Sequence, residues 1–213
     1  MVKKLVLIGA GGHGKSCVGV IESKTGYRIL GFIDTKLSVK DKILGYQVLG
    51  GNERIAEFMK DEDVYFLITV GQIRSAGARV QLFEQLEKLK ARFVPDVIAD
   101  SAYVSKHARL GVGTIIMHQA VVNAGARIGN NVILNNHSLV EHDCVIGNHT
   151  HISTGSIVNG DCVVGDRVFI GSGSVLVNGV HVASDVLVGA GSVVTSSITE
   201  AGTYAGNPAR KIK

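Results

Sequence analysis

The chain has 213 residues, 46% hydrophobic but only 5% aromatic, with 27 glycines, no tryptophan and a formal net charge of +4. That length allows one or two domains, and the scattered Lys and Arg residues exclude nucleic acid as the expected partner while suiting small anionic ligands. No apolar run approaches a membrane span, and Gly9 interrupts the short apolar stretch that follows Met1, so the expectation is a soluble cytoplasmic protein with no signal peptide and no membrane partner.

Lys4 to Ile8 has the pattern of a buried strand and runs into Gly9-Ala10-Gly11-Gly12-His13-Gly14-Lys15, followed by a helical stretch from Ser16 to Ser23. Strand, glycine turn and helix present free N–H groups at a helix N-terminus, where phosphate binds. Gly9, Gly11 and Gly14 match the dinucleotide fingerprint, and Asp34 ends the next apolar strand, Ile29 to Ile33. Taken literally this is an NAD site. However, only about 95 residues precede the repeats described below, too few for the six-stranded dinucleotide fold. A half-sized βαβ unit holding a nucleotide fits better; a tight turn with no ligand is the structural alternative.

Residues 35–51 are polar and glycine-rich and predict a loop, after which Asn52 caps a helix reaching about Lys60. Val64 to Val70 predicts a third strand ending in Gly71-Gln72, at the strand end where ligands of open α/β sheets gather. Arg74 to Leu89 has helical spacing with a charged outer face, and Phe93-Val94-Pro95 connects to the second half. The expected boundaries are therefore a Rossmann-like βαβαβ domain over 1–95 and a second domain over 96–213.

From Ile98 to Val194 an aliphatic residue returns at every sixth position without a gap, seventeen times. A small or β-branched residue follows four positions later, as at Ala102, Thr114, Ser138, Cys144, Ser156 and Cys162. Neither the 3.6-residue period of a helix nor the two-residue period of a strand sustains this, whereas a hexapeptide parallel β-helix does. Three hexapeptides make a triangular coil of 18 residues, so residues 18 apart stack at about 4.8 Å. Cys144 and Cys162 are such a pair, and with Cys17 they are expected to be buried small side chains rather than a disulfide or a metal site. Seven histidines fall in the coil without recurring acidic or cysteine ligands, so no metal is expected and most are expected at the surface.

The uninterrupted array resembles the left-handed β-helix of the hexapeptide acyltransferases, and the stretch from Gly202 through Gly206-Asn207-Pro208-Ala209 resembles their tail. With the Gly-x-Gly-Gly-His-Gly loop and Val140-Glu141-His142-Asp143-Cys144, the whole chain is similar to a sugar acyltransferase family. That family includes bacterial UDP-4-amino-sugar N-acetyltransferases and sialic acid O-acetyltransferases. The resemblance implies the handedness and acetyl-CoA as co-substrate. It also implies direct transfer with His142 as general base, Asp143 as its partner and the Gly160 N–H as oxyanion donor. It assigns His151 to an acetyl-CoA contact, and Gly11, Gly12, His13, Asp34, Thr35 and Gly71 to the nucleotide sugar. Stacking at 18-residue steps adds Ser172 and Ala190, in one small column with Thr154, as a bed for the pantetheine arm. Asn135 is a candidate acceptor contact, with asparagine stacking at the bends as the structural alternative. The family packs three copies with sites between subunits, so a homotrimer is expected. N-acetylation of a nucleotide-linked 4-amino-4,6-dideoxy sugar for bacterial glycan synthesis is the leading expectation. O-acetylation of sialic acid and a non-catalytic nucleotide-sugar-binding module are the alternatives.

Overall fold

The structure is a computed structural model that describes residues 3–23 and 26–213; Met1 and Val2 of the apolar start lie outside the described residues. In the N-terminal domain β1 (Lys3–Ile8) is flanked in parallel by β2 (Tyr27–Ile33) and β5 (Val64–Ile68). Its side chains alternate between two cores, as they must where a parallel sheet is covered on both faces. Leu5 and Leu7 pack with Cys17, Val18 and Ile21 of α1 (Gly12–Glu22), whereas Val6 and Ile8 pack with Phe83 and Leu86 of α3 (Gly77–Lys88).

Two expectations are corrected in this domain. Within residues 35–51, β3 (Lys42–Ile43) and β4 (Tyr46–Gly50) form an antiparallel pair at the sheet edge, so the sheet has five strands in the order β3-β4-β2-β1-β5. Both strands are short and only Val48 and Gly50 of them are buried, which leaves little apolar pattern to tell them from a loop. Asn52 does not cap a helix: it lies inside a 3-10 turn (Asn52–Arg54) ahead of the one-turn helix α2 (Ile55–Phe58). The preceding Gly51 N–H donates instead to the Glu53 carboxylate at 2.9 Å.

Asp96–Ile98 is the first strand of a three-sided prism. Val122 pairs with Val140, Ile128 with Ile146 and Leu134 with Ile152, each 18 residues on. Three parallel sheets result, with five strands on the third face and six on the second; the six coil strands of the first face are extended to eight by the C-terminal hairpin Gly202–Gly206 and Ala209–Lys211, whose two strands pair antiparallel. The sixth-position aliphatics and the small corner residues, Cys144 and Cys162 included, form one continuous buried core. This is the left-handed β-helix expected. The corners turn through left-handed backbone at non-glycine positions such as Asn131 (φ 54°), Asp143 (φ 60°) and Asp161 (φ 62°), residue types whose short polar side chains tolerate that region.

The domains share a core on the first face. Ile115 and Ile133 point outward from the prism and are buried, together with Met117, against Leu5, Leu7, Cys17 and Ile21. One storey further, the same outward column holds His151 and then Phe169. The column thus passes from apolar residues under α1 to residues that line an open cavity.

Candidate active site

A cavity of about 1190 Å³ lies between the glycine loop and this column. Gly11, Gly12, His13, Asp34, Thr35 and Gly71 line it from the N-terminal domain, and Asn135, His151 and Ser172 line it from the prism. Nine of the positions singled out from sequence therefore converge. Sequence reasoning did not single out Phe169, Gln72, Asn52, Gln81 or Gln85 as lining residues. Their only sequence signal is that two glutamines one turn apart sit on an otherwise charged helix.

The glycine loop is held by sterics and by one carboxylate. A Cβ on Gly14 would sit 2.5 Å from the Gly9 carbonyl oxygen and 3.3 Å from Phe32, so only glycine lets α1 approach the strand end this closely. Gly9 itself turns at φ 107°. No side chain caps the first turn of α1, whose N–H groups and positive dipole end face the cavity at Gly11 and Gly12. Asp34 braces the loop: Oδ2 accepts the Ala10 N–H at 2.9 Å and Oδ1 accepts the Lys36 N–H at 2.8 Å.

Two imidazoles stand in the cavity, with ring centroids 6.5 Å apart. Burial, helped by the charge of Arg79, pushes His13 down to about 3 and His151 down to about 4, so both are neutral at ordinary pH. His151 Nδ1 lies 2.7 Å from the Gln72 carbonyl oxygen, which can only accept, so Nδ1 carries the proton. Its Nε2 is then the acceptor for the Asn135 amide N–H at 3.2 Å. His151 is buried rather than at the surface, and both of its ring nitrogens are engaged. His149, half-buried with its Nδ1 accepting from Asn131 at 2.9 Å, is a second coil histidine that is not a surface one.

His142 stands apart from this cavity, at the corner between the second and third faces, whereas Asn135 and Ser172 lie at the corner between the first and second. Asp143 Oδ2 lies 2.9 Å from His142 Nδ1. Carboxylates only accept, so Nδ1–H donates and Nε2 keeps a free lone pair. The hydrogen bond to Asp143 raises the imidazole above its ordinary range, and Asp161 and Glu141 add to that. Gly160 stacks one storey along: a Cβ there would meet His142 Nε2 at 2.6 Å. Among the described residues the Gly160 N–H donates to no other group, while its carbonyl accepts from Gly179 at 3.0 Å. Ala190 is exposed on the Ser172 corner but does not line the cavity.

The two halves match separate family models. Residues 4–86 match the PglD N-terminal domain, and residues 143–178 and 161–196 match the bacterial transferase hexapeptide repeat. The acetyltransferase domain of PglB from Neisseria gonorrhoeae FA1090, solved with acetyl coenzyme A, superposes with a TM-score of 0.90 at 31% identity, covering 100% of both chains. The chain belongs to the hexapeptide-repeat sugar acetyltransferase family. PerB from Caulobacter crescentus, solved with CoA and GDP-perosamine, superposes with a TM-score of 0.90 at 27% identity over 100% of this chain and 99% of that one. The UDP-N-acetylbacillosamine N-acetyltransferase of Bacillus subtilis (strain 168) is 34% identical over 117 residues, 54% of this chain. That match spans about half of the Bacillus relative, 52% of its length. Family membership accounts for both halves at once, the glycine-loop domain and the coil that carries His142. No helix among the described residues is long and apolar enough to cross a membrane.

Proposed function

We propose that the protein is an acetyl-CoA-dependent N-acetyltransferase whose acceptor is an amino sugar carried on a nucleotide, with a 4-amino-4,6-dideoxy sugar as the expected acceptor and bacterial glycan synthesis as its setting. The observation that carries this reading is the pairing of a phosphate-cradling helix N-terminus with a His–Asp pair whose free Nε2 lies over a bare glycine. Related proteins bound to acetyl coenzyme A and to a GDP-linked sugar support it.

In this mechanism His142 Nε2 takes the proton from the amine as its nitrogen bonds to the thioester carbonyl carbon. The Gly160 N–H donates to the oxygen on which negative charge develops, a contribution that one such donor makes at about 3–4 kcal/mol in well-studied acyl transfer. His142 then returns the proton to the departing thiolate, so no acyl-enzyme forms. Asp143 holds the imidazole in the tautomer that leaves Nε2 free and stabilises the imidazolium between the two transfers. In the cavity, Gly11, Gly12 and His13 would hold the phosphates, Asp34, Thr35 and Gly71 the rest of the nucleotide sugar, and Asn135 the sugar. His151, Ser172 and Ala190 would line the path of acetyl-CoA.

Within one chain the base and the cavity stand at different corners, separated by the second face. Its outward residues are apolar at every storey: Tyr103, Val121, Leu139, Ile157, Val175 and Val193. A homotrimer packed through such faces covers them, contributing about 25 cal/mol per Å² buried, and lets His142 of one subunit serve the cavity of a neighbour. A thiol-release assay with acetyl-CoA over UDP-, dTDP- and GDP-linked 4-amino sugars tests the proposal, with free sialic acid as control. Turnover with a nucleotide-linked amino sugar supports it. Turnover with free sialic acid alone replaces N- by O-acetylation, and turnover with none of the panel removes the catalytic reading.

A further inference from the structure

Among the described residues Arg79 is the largest fully buried side chain, and it has no carboxylate partner. Its guanidinium is held by carbonyl-type acceptors from both domains. Nη1 donates to the carbonyls of Ile68 at 2.9 Å and Val70 at 2.7 Å. Nη2 donates across the domain joint to the Asn131 carbonyl at 3.0 Å and to the Asn131 side-chain oxygen. An isolated buried cation is costly, and Arg is retained in such places when its fixed fork holds several acceptors in one geometry.

What it holds is the end of β5 and the segment that follows, residues 68–72, of which 69–72 form one wall of the cavity. Gln72 extends the grip: it is buried, and its amide donates to the Val168 carbonyl on the prism at 3.3 Å. The Gln72 carbonyl in turn receives His151 Nδ1–H, and His151 Nε2 receives the Asn135 amide, whose own oxygen accepts the Asn136 N–H at 2.8 Å. The Gln72 carbonyl can only accept, so it determines the direction of the two links that follow: His151 and Asn135 each have one donor and one acceptor committed.

We propose that Arg79 is a positioning residue. Anchoring residues 68–72 on the prism lets it fix the tautomer of His151 through the Gln72 carbonyl, and so the orientation in which Asn135 meets the acceptor sugar. This wiring makes His151 a fixed hydrogen-bond relay that does not exchange protons during turnover. Its link to the acceptor rests on the proposed function, whereas its link to the His151 tautomer does not.

The test uses the full chain carrying Arg79→Lys, which keeps the charge but cannot span both domains with a planar fork, and Gln72→Ala, which removes the side-chain grip on Val168. Two readouts are taken: ¹⁵N-histidine NMR of His151 without ligands, assigned with His151→Gln, and steady-state kinetics in both substrates. The expected result in the parent is a single neutral tautomer protonated at Nδ1, with averaging towards the other tautomer in both variants. The Michaelis constant for the acceptor rises about tenfold or more, as misplacement near a reacting group produces, while kcat changes less than about threefold. An unshifted His151 signature in a folded variant overturns the proposal, even if the melting temperature falls. If Arg79→Lys does not fold, Gln72→Ala decides by the same two criteria. If the parent shows no acetyl transfer, the functional reading fails and the tautomer result still judges the positioning claim.

Discussion

His142 Nδ1 and Asp143 Oδ2 lie 2.9 Å apart although the two residues are neighbours in sequence, because the corner places Asp143 in left-handed backbone at φ 60°. Oδ2 meets the ring, while Oδ1 lies over the bare Gly125 one storey back, where a Cβ would sit on it. Both groups are more than half exposed in one chain, so the pair has no role in holding the fold together. Its consequence is chemical: the imidazolium form is favoured, and the pKa stands above the ordinary value of 6.5. As the proposed base, His142 must be unprotonated to act, so kcat/KM is expected to fall as pH drops through that raised value. In Asp143→Asn the stabilisation of the imidazolium is lost, which moves the acid limb to lower pH and lowers the plateau. A limb that stays in place, measured by a pH series of kcat/KM, contradicts the role of Asp143.

Gly160→Ala tests whether the bare corner matters. The new methyl would press on His142 Nε2, whose ring must turn away. We expect kcat to drop at least about tenfold, with little change in melting temperature because the ring is exposed. Steady-state assays beside a thermal scan separate the two effects.

Leu139→Glu places a charge in the middle of the apolar second face without touching the inward core residue Val140. A charge buried at such an interface costs several kcal/mol unless paired. Sedimentation velocity is expected to show a trimer for the parent and monomer for the variant, with acetyl transfer lost alongside. A fully active monomer would remove the intersubunit site.

Gly14→Ala is expected to cost about 1–3 kcal/mol, since the added carbon overlaps the Gly9 carbonyl and cannot relax without opening the loop. Nucleotide affinity, measured with UDP and GDP by calorimetry, should fall with it. Gly12→Ala, two residues earlier, where a Cβ meets nothing within 4 Å, should leave stability unchanged.

The prism was legible in the sequence because its period is geometric: one missed aliphatic would have left a hole in a core one side chain deep, as at Val140 and Ile152. The glycine loop was legible for the same reason, since Gly14 permits a backbone contact that no other residue allows. What could not be read depends on contacts across the joint. Arg79 looks like any charge on an amphipathic helix until Asn131, 52 residues away, closes over it. His151 looks like any corner histidine until Gln72 reaches it from 79 residues away. The short strands β3 and β4 escaped notice because a partly exposed pair carries no periodic apolar signal.

The central claim, that His142 is the base, is tested most directly by His142→Ala, assayed for acetyl transfer to a nucleotide-linked 4-amino sugar while acetyl-CoA binding is measured by calorimetry. We predict a loss in kcat of about 10²–10⁴-fold with acetyl-CoA affinity retained within about twofold, since the free histidine is exposed and supports no fold contact. Turnover within about threefold of the parent would contradict it.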